Sequence, residues 1–402
     1  MVRTPVEVIA DVDEERVWDR VAAVDVAKAS GMVCLRVPDQ DGPPRRVSRV
    51  WSVPARMRAV TELADHLVCQ QVQQVTLEAT SDYWRVFFYV FEAAGLNVVL
   101  VNARDVKHLP GRAKTDKLDA VWLAKLTERG MLRASFVPPA PVRVLRDYTR
   151  LRVDLVHERT RYWQRLEKLL EDALIKVSSV ASTLTTVSAR DMIRALIGGE
   201  RDPRRLADLA RGPMRGKRDE LIEALDGRFD DHHGQIAQVL LDQIDRLDTQ
   251  IEQVGTQIED LIAALPDAWG IDAGGVTGPV AGRGPDAVAA PVLDRLAAVP
   301  GLSRQTAATI IAETGLDMSR FPTAGHLVSW ARLCPRTVQS GASSRGGKAG
   351  KGDPYLRGAL GQAAAAAAKT DTFLGHRYRR LVRRMGTRKA YVAITRSILV
   401  AI

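Results

Sequence analysis

A long helix is predicted where apolar residues recur at alternating steps of four and three along residues 240–265. The pattern lasts for more than three heptads, which is typical of a coiled-coil seam. Its positions are Leu240, Ile244, Leu247, Ile251, Val254, Ile258, Leu261 and Leu265. Residues 151–170 carry apolar side chains at similar intervals. The seam therefore predicts pairing with that segment or with a second copy of the chain.

The first third of the chain has a different pattern, in which short β-branched runs alternate with segments of helical spacing. A turn signal at Ala29-Ser30-Gly31 separates two apolar runs and predicts a β-hairpin. Thr115 precedes a helical segment and is a suitable N-cap. The predicted order is a hairpin at 21–37, a strand at 47–53, a helix at 54–67, a strand at 72–77, a helix at 83–94, a strand at 96–102 and a helix at 115–129. We expect a mixed α/β domain over residues 1–140.

The rest of the chain predicts a helical region and then a small helical C-terminal domain. Helices are expected over 141–270, with a small helical insert at 175–235, and a Gly/Pro/Ala-rich linker follows at 271–291. The domain at 292–402 begins with two helices around Pro300-Gly301, and Ser303 is the expected N-cap of the second. This pattern fits a phosphate-binding helix-hairpin-helix and a plain αα-hairpin equally well. A Gly/Ser/Lys-rich loop is predicted at 339–353.

Positive charge is concentrated at the C-terminus of this basic chain. The formal net charge is +10, and residues 321–402 hold 15 lysines and arginines against two acids. A polyanion is therefore expected to bind mainly there, although a solvated basic surface is the alternative. Three widely spaced cysteines predict no disulfide framework and fit a reducing cytoplasm. No apolar run is long enough to predict a membrane span.

Four carboxylates lie in the predicted α/β domain where they could hold metal ions. Asp25 lies inside an apolar run and Glu78 ends another, and a buried carboxylate needs a partner or a metal ion. Asp116 and Asp119 are three residues apart and share one face of a predicted helix. Together the four acids could bind two Mg²⁺ ions, which prefer oxygen ligands and assist phosphoryl transfer. Singly, each could be an N-cap or a surface residue.

Several basic residues are candidates for contacts with nucleic acid. Lys28 and Lys114 lie near the acids and could contact phosphate or balance the negative charge. The loop after Ser340 combines glycines, which let a backbone approach phosphate closely, with cations. The candidate cations there are Arg345, Lys348, Lys351 and Arg357. A serine in such a loop could act as a nucleophile, but on these residues alone a basic loop without chemistry is favoured. His232 and His233 predict a surface turn and no metal site.

The combination of segments resembles the DEDD-type insertion-sequence transposases, the bridge-RNA-guided recombinases related to the Piv DNA invertase. The resemblance rests on VDVAK at 24–28, LEATSDYW at 77–84, NARDVKHLPGRAKTDKLDAVWLAKL at 102–126, and LAAVPGLSRQTAATIIAETG, LCPRTVQSG and KGDPYLRGAL within 296–360. It spans the chain apart from the insert and the linker. Ser81 stands where the family usually has a glycine.

The resemblance implies an RNase H/RuvC-like catalytic domain and a serine-bearing C-terminal domain. The family's four metal-binding acids fall on Asp25, Glu78, Asp116 and Asp119. Its nucleophilic serine falls on Ser340, and Ser343 or Ser344 stay open because the loop does not align without a gap. This serine would attack a DNA phosphate and form a transient phosphoserine link. The implied partners are donor and target DNA, a non-coding bridge RNA, and further copies of the chain, as dimer or tetramer, joined by the coiled coil.

Other functions remain open from the sequence. A Mg²⁺-dependent four-way-junction nuclease would use the same acids to activate water, and Ser340 would be inessential. An RNA-independent site-specific DNA invertase would find its DNA by direct contact. A non-catalytic nucleic-acid-binding protein would not need the acids, and the complete set of them argues against it. The expected location is the bacterial cytoplasm, in association with the nucleoid when the protein acts on DNA.

Overall fold

A computed structural model describes residues 17–39, 46–79, 81–102, 115–265, 291–340 and 343–402. The chain divides into two compact units, Met1–Val137 and Pro138–Ile402. Lys114 and nearly all of the predicted linker lie outside the described residues. Within the described ranges, no helix has the length and apolar character needed to cross a membrane.

The N-terminal unit is built on one mixed sheet of five strands. The strands are β1 (Val21–Val26), β2 (Ser30–Pro38), β3 (Arg46–Pro54), β4 (Gln74–Ala79) and β5 (Val98–Asn102). Their spatial order is β3-β2-β1-β4-β5. The first three strands form an antiparallel meander, and β4 and β5 run parallel to β1. The mixed α/β prediction is confirmed, and the arrangement is consistent with an RNase H-like domain.

Helices cover both faces of this sheet. The helices are α1 (Met57–Cys69), α2 (Arg85–Ala93) and α3 (Asp116–Glu128). Alternate residues of a strand point to opposite faces. Ala22 and Val24 of β1 accordingly join the core formed with α1 and α2, whereas Val21 and Ala23 join the core formed with α3. The sequence of β1 is almost wholly apolar because both of its faces are buried.

Helix α3 is fixed to the sheet near its C-terminal end by buried polar contacts. The Glu128 carboxylate accepts from the Arg36 Nε at 2.5 Å and also pairs with Arg46. Thr127 Oγ1 donates to the Thr76 Oγ1 at 2.8 Å. Removing one partner of such a buried ion pair typically costs about 3–5 kcal/mol because the other charge stays buried. The position of α3 on the sheet is therefore strongly specified.

The C-terminal unit contains two helices of 33 residues, α4 (Ala140–Asp172) and, later in the chain, α9 (Asp231–Ala263). Leu145, near the start of α4, packs in one core with Ile258, near the end of α9. Midway, Arg159 pairs with Asp248 at 2.6 Å, so the helices run antiparallel. The predicted seam is thus buried against the same chain, which was one of the two expected partners.

The segment between these helices forms the predicted helical insert. Its helices are α5 (Val177–Val180), α6 (Val187–Ile197), α7 (Pro203–Ala207) and α8 (Arg218–Leu225), with a 3-10 turn at Gly212–Lys217. They share a hydrophobic core with one end of the α4–α9 pair.

Six further α-helices and a β-hairpin are described in the rest of the C-terminal unit. They are α10 (Val292–Ala297), α11 (Arg304–Thr314), α12 (Ala324–Trp330), β6 (Pro335–Ser340), β7 (Ser343–Ala349), α13 (Pro354–Ala367), α14 (Phe373–Met385) and α15 (Thr387–Ala401). Helix α11 is buried from Thr306 to Thr314. The predicted N-cap Ser303 accepts from the Thr306 N–H at 3.1 Å.

The turn between α10 and α11 is packed against α13. Gly301 has a φ of +90°, and a Cβ at this position would lie 2.4 Å from the carbonyl oxygen of Ala363. The glycine is required both by its backbone conformation and by this close approach. The contact gives the turn a packing role within the unit.

The prediction of a loop at 339–353 is wrong over most of its length. β6 and β7 pair antiparallel, with Pro335 opposite Ala349 and Ser340 opposite Ser343. The strand Ser343–Ala349 has the sequence SSRGGKA, which has low intrinsic preference for a strand. The conformation of this strand is set by its pairing with β6 and by the contacts that hold the hairpin in the unit. Neither can be seen in the local sequence.

Candidate functional site

Asp25 and Glu78 are brought together at the carboxyl ends of two adjacent parallel strands. They are direct partners in the β1–β4 register. The alternation along each strand places Asp25 on the face of Ala23 and Glu78 on the face of Thr76. Ala23 packs with α3, and Thr76 is hydrogen bonded to it. Both acids therefore lie on the sheet face that α3 covers, and both are half-buried.

The first turn of α3 brings two more acids to the same end of the sheet. The amides of Val17 and Trp18, which precede β1, donate to the Glu128 carbonyl at 2.9 and 3.2 Å. The C-terminal end of α3 therefore lies beside the start of β1, and its N-terminal turn points towards the end of β1. That turn contains Asp116 and Asp119.

The two helical acids have different exposure. Asp116 is exposed, whereas Asp119 is half-buried and its Oδ1 atom is buried. Each lies one helical turn before a residue that is fully buried against the sheet, Ala120 and Leu123 respectively. Thr115 caps the helix, its side chain accepting from the Leu118 N–H at 3.4 Å. Both acids thus lie on the sheet-facing side of α3.

The donor set suits a hard divalent cation. All four groups are carboxylates, from β1, β4 and the first turn of α3, and oxygen ligands are those that Mg²⁺ prefers. Partial burial strengthens electrostatic interactions while leaving access for a substrate phosphate. Asp25, Glu78 and Asp119 would hold such an ion, and Asp116 lies at the exposed edge of the group. Lys28 is exposed in the turn after β1.

In the C-terminal unit, Ser340 lies at the end of β6, next to the tip of the β-hairpin. Ser343, Ser344, Arg345 and Lys348 lie in β7. Lys351 is exposed just after the hairpin.

Arg357, expected to contact nucleic acid, is turned towards the protein backbone. Its Nη1 donates to the carbonyl oxygens of Gly350, at 2.7 Å, and of Lys351. These carbonyls belong to the connection from β7 to α13, so the guanidinium fixes the root of the hairpin.

A charged network beside this connection was missed in the sequence. The Glu313 carboxylate, with a side chain 3% exposed, pairs with Arg146 at 3.2 Å and Arg150 at 2.8 Å. Arg150 reaches further, to Asp353 at 3.2 Å. Burial lowers the pKa of Arg146. For Arg150 the effect of burial is outweighed by the hydrogen bonds and charge of Glu313, which raise its pKa. The local sequence feature that could have drawn attention to Asp353 is the pair Asp353-Pro354, an N-cap followed by proline at the first helical position.

The prediction of a surface turn at His232 and His233 is wrong, because both residues lie in the first turn of α9 and the side chain of His233 is buried. Its Nδ1 accepts from the Asp230 N–H at 3.1 Å, within the capping box of α9, and its Nε2 lies 3.3 Å from Asp172. Asp172, His232 and His233 have potential ligand atoms within 4.8 Å of one another. The accepting Nδ1 puts the proton of a neutral ring on Nε2, so this arrangement is a helix cap with a hydrogen bond to Asp172.

The final two helices present a strongly basic surface. Residues 372–402 contain eight lysines and arginines and no acid. We call the exposed group with no ion pair in the described part of the chain the basic face: Arg380, Arg383, Arg384, Arg388, Lys389 and Arg396. By contrast, Arg379 pairs with Asp371 at 3.0 Å. Unpaired arginines at helical spacing suit the phosphates of a nucleic acid.

Carboxylates at one end of a mixed sheet, together with a separate basic unit, define a class of candidate metal-dependent proteins that act on nucleic acids. Comparison with known families gives a more specific result. A family model for IS110 elements, described as a transposase, matches residues 22–175. The model of the transposase IS116/IS110/IS902 family matches residues 293–379.

One curated relative is similar over a short segment. It is the insertion element IS110 uncharacterized 43.6 kDa protein of Streptomyces coelicolor, with 42% identity over 62 residues. That segment covers 15% of this chain and 15% of the relative. With the two family models, which match both ends of the chain, this similarity supports the predicted resemblance. The chain is therefore similar to the IS110 family of transposases in both its N-terminal and its C-terminal part.

Proposed function

We propose that this protein is the transposase of an insertion sequence, which cuts and rejoins DNA with Mg²⁺ and a serine nucleophile. The observation that carries the proposal is the register pair Asp25–Glu78, with the acidic first turn of α3 at the same end of the sheet. Carboxylates so placed support phosphoryl transfer. The similarity to transposase family models supports DNA as the substrate.

The acids have distinct parts in this proposal. Asp25, Glu78 and Asp119 would hold the metal, with Asp116 towards the solvent side. Two Mg²⁺ ions bound there would stabilise charge on the scissile phosphate and on the attacking and leaving oxygens. The strands and the anchored helix would hold the carboxylates in place before DNA arrives, so that little reorganisation would be needed in the reaction.

Ser340 is the proposed nucleophile, on the resemblance and on its position beside the hairpin tip. Its Oγ would form a bond to phosphorus while the bond from phosphorus to one deoxyribose oxygen breaks. The serine proton passes to solvent or to a base, and the released sugar hydroxyl takes up a proton. Attack by a sugar hydroxyl on the phosphoserine then rejoins DNA and restores the serine. The acids and the serine act in one reaction, from the same chain or from different chains.

The test is to trap the covalent intermediate. Wild type, Ser340→Ala, Asp25→Asn, Ser343→Ala and Ser344→Ala are incubated with labelled donor and target DNA, Mg²⁺ and co-purified RNA, then run on denaturing gels. A slow protein–DNA band should be present in wild type and absent in Ser340→Ala and Asp25→Asn. The other two serine variants are matched controls and should retain it.

The same gels separate the alternatives. Loss of the band only in Ser343→Ala or Ser344→Ala would move the nucleophile to that residue. Mg²⁺-dependent cutting without a covalent band, unaffected by Ser340→Ala, would identify a junction nuclease that uses water. Retained products in Asp25→Asn, with its fold intact, would refute the metal site.

We propose a bridge RNA as the guide, with the basic face as a surface for nucleic-acid phosphates. The RNA that co-purifies from the native host should be one structured species encoded beside the gene, with segments complementary to both DNA partners. Heterogeneous RNA, or none, would favour an RNA-independent invertase. Replacing Arg380, Arg384 and Arg388 by alanine should weaken binding and flatten its salt dependence, because fewer counterions are released. If the salt dependence of binding stays unchanged, these arginines do not contact the nucleic-acid phosphates.

Assembly into dimers and tetramers is also proposed from the resemblance. The seam expected to join copies is largely buried between α4 and α9 of one chain, so another surface would have to join them. Light scattering after size exclusion, with and without RNA and DNA, measures the assembly directly. A monomer under every condition would refute this part of the proposal.

A further inference from the structure

We propose that Arg150 and Asp353 are positioning residues for the β6–β7 hairpin. The inference rests on the proposed function, in which this hairpin carries the nucleophile. Arg150 and Asp353 belong neither to the four acids nor to the serine, and their role is to hold the hairpin in a reactive position. Their contacts lie within the C-terminal unit and are made by described side chains.

The root of the hairpin is held at its C-terminal strand. Strand β7 ends at Ala349, and α13 begins at Pro354. Arg357 donates to the Gly350 carbonyl in the connection between them. Gly352 has a φ of +60°, and a Cβ there would lie 2.8 Å from the Ala331 carbonyl. The connection is therefore closely packed against the segment that leads into β6.

Asp353 joins this connection to the interior of the unit. Its Oδ1 accepts from the Leu356 N–H at 2.8 Å, which caps α13, while its Oδ2 accepts from Arg150 at 3.2 Å. One carboxylate thus sets both the start of α13 and the distance of the hairpin root from α4. The cap alone would leave that distance free.

Arg150 can serve as an anchor because Glu313 holds it on the other side. The guanidinium makes a two-point contact with Glu313, with distances of 2.8 and 2.9 Å. Its charge also lies 4.9 Å from the centre of the Tyr355 ring, and the Tyr355 hydroxyl donates to Asp154 at 3.2 Å. Planar bidentate pairing gives a fixed orientation that a lysine would not reproduce.

The chain offers a matched control on the same helix. Arg159 pairs with Asp248 at 2.6 Å with side-chain exposures of 31% and 35%, close to the 32% and 26% of Arg150 and Asp353. Asp353→Asn keeps an N-cap acceptor but removes the charge that faces Arg150. Asp248→Asn makes the same chemical change away from the hairpin.

The experiment measures amide hydrogen exchange and strand-exchange kinetics on the full chain. In Asp353→Asn and Arg150→Gln, the amides of residues 336–340 and 343–349 should exchange at least about tenfold faster while α9 stays protected. The maximal strand-exchange rate should fall by a similar factor, with the half-saturating DNA concentration within about twofold of wild type. Arg150→Lys should restore the rate only partly.

Three results would overturn the proposal. They are unchanged exchange in the hairpin, an equal change in Asp248→Asn, and a kinetic defect confined to the half-saturating DNA concentration. The exchange measurement needs no activity, so it separates this proposal from the proposed function. Faster hairpin exchange combined with full activity of Ser340→Ala would refute the serine mechanism and leave the hairpin anchor supported.

Discussion

Substituting Gly301 by alanine tests whether the turn before α11 is a packing contact or a phosphate site. The new Cβ would lie 2.4 Å from the Ala363 carbonyl oxygen and 2.7 Å from the Ala367 nitrogen, both backbone atoms of α13. Ordinary contacts begin near 3.4 Å, so the turn and α13 must separate by about 1 Å. Overpacking of this kind costs about 1–3 kcal/mol.

The backbone conformation adds a second cost. The φ of Gly301 is +90°, which costs a residue with a Cβ about 1 kcal/mol. The total of about 2–4 kcal/mol should lower the melting temperature of the C-terminal unit by roughly 4–8 °C, at about 2 °C per kcal/mol for a unit of this size. Differential scanning calorimetry, supported by urea titration, measures the loss.

Gly199, in the same unit, provides the control for this substitution. It has a φ of +95° but nothing within 4 Å of an added Cβ, so Gly199→Ala should cost only the conformational part, about 1 kcal/mol. An equal loss in the two variants would refute the packing argument. Wild-type stability of Gly301→Ala combined with weaker DNA binding would instead assign the turn to phosphate.

Three further predictions concern a buried ion pair, a buried thiol and a helix cap. Glu313→Gln should cost about 3 kcal/mol by urea unfolding because two arginines lose their counter-charge, against less than about 1 kcal/mol for the more exposed Asp248→Asn. Similar losses in both would contradict the buried network. Burial raises the pKa of Cys34 to about 12 from an ordinary 9.0, so the folded protein should react with a thiol reagent at pH 8 at exposed Cys69 and not at Cys34. Because the folded state keeps this proton longer than the unfolded state, its contribution to stability should be lost as pH rises from about 9 to 12. Ser303→Ala should cost about 1 kcal/mol through the lost cap of α11, and no change in melting temperature would show that this cap is dispensable.

The sequence predicted best those elements whose own residues determine their conformation. The apolar run of β1 and the caps at Thr115 and Ser303 act within a few residues, and the structure contains each of them. The heptad pattern predicted the long helices. It did not determine whether the apolar seam packs against the same chain or against a second copy. That choice depends on the fold of the whole unit, which brings Leu145 to Ile258.

The candidate site was partly predictable for a related reason. Asp25 is the one polar residue of β1 and Glu78 comes near the end of β4, so their placement near strand ends could be expected from sequence. Their pairing depends on the β1–β4 register, which tertiary packing sets. Glu313 lies within an apolar helix and gives no sign of its two arginine partners, which precede it by more than 160 residues.

The composition of the β6–β7 hairpin makes its position depend on contacts with other parts of the unit. A backbone that approaches phosphate closely must carry small residues, and SSRGGKA of β7 meets that requirement. The same residues have weak strand preference and little apolar area to bury. Such a hairpin cannot define its own position, so its root must be fixed by groups outside it. Arg357, Asp353 and Arg150 make those contacts, and the geometry of any reaction at Ser340 would then depend on an ion pair anchored at the buried Glu313.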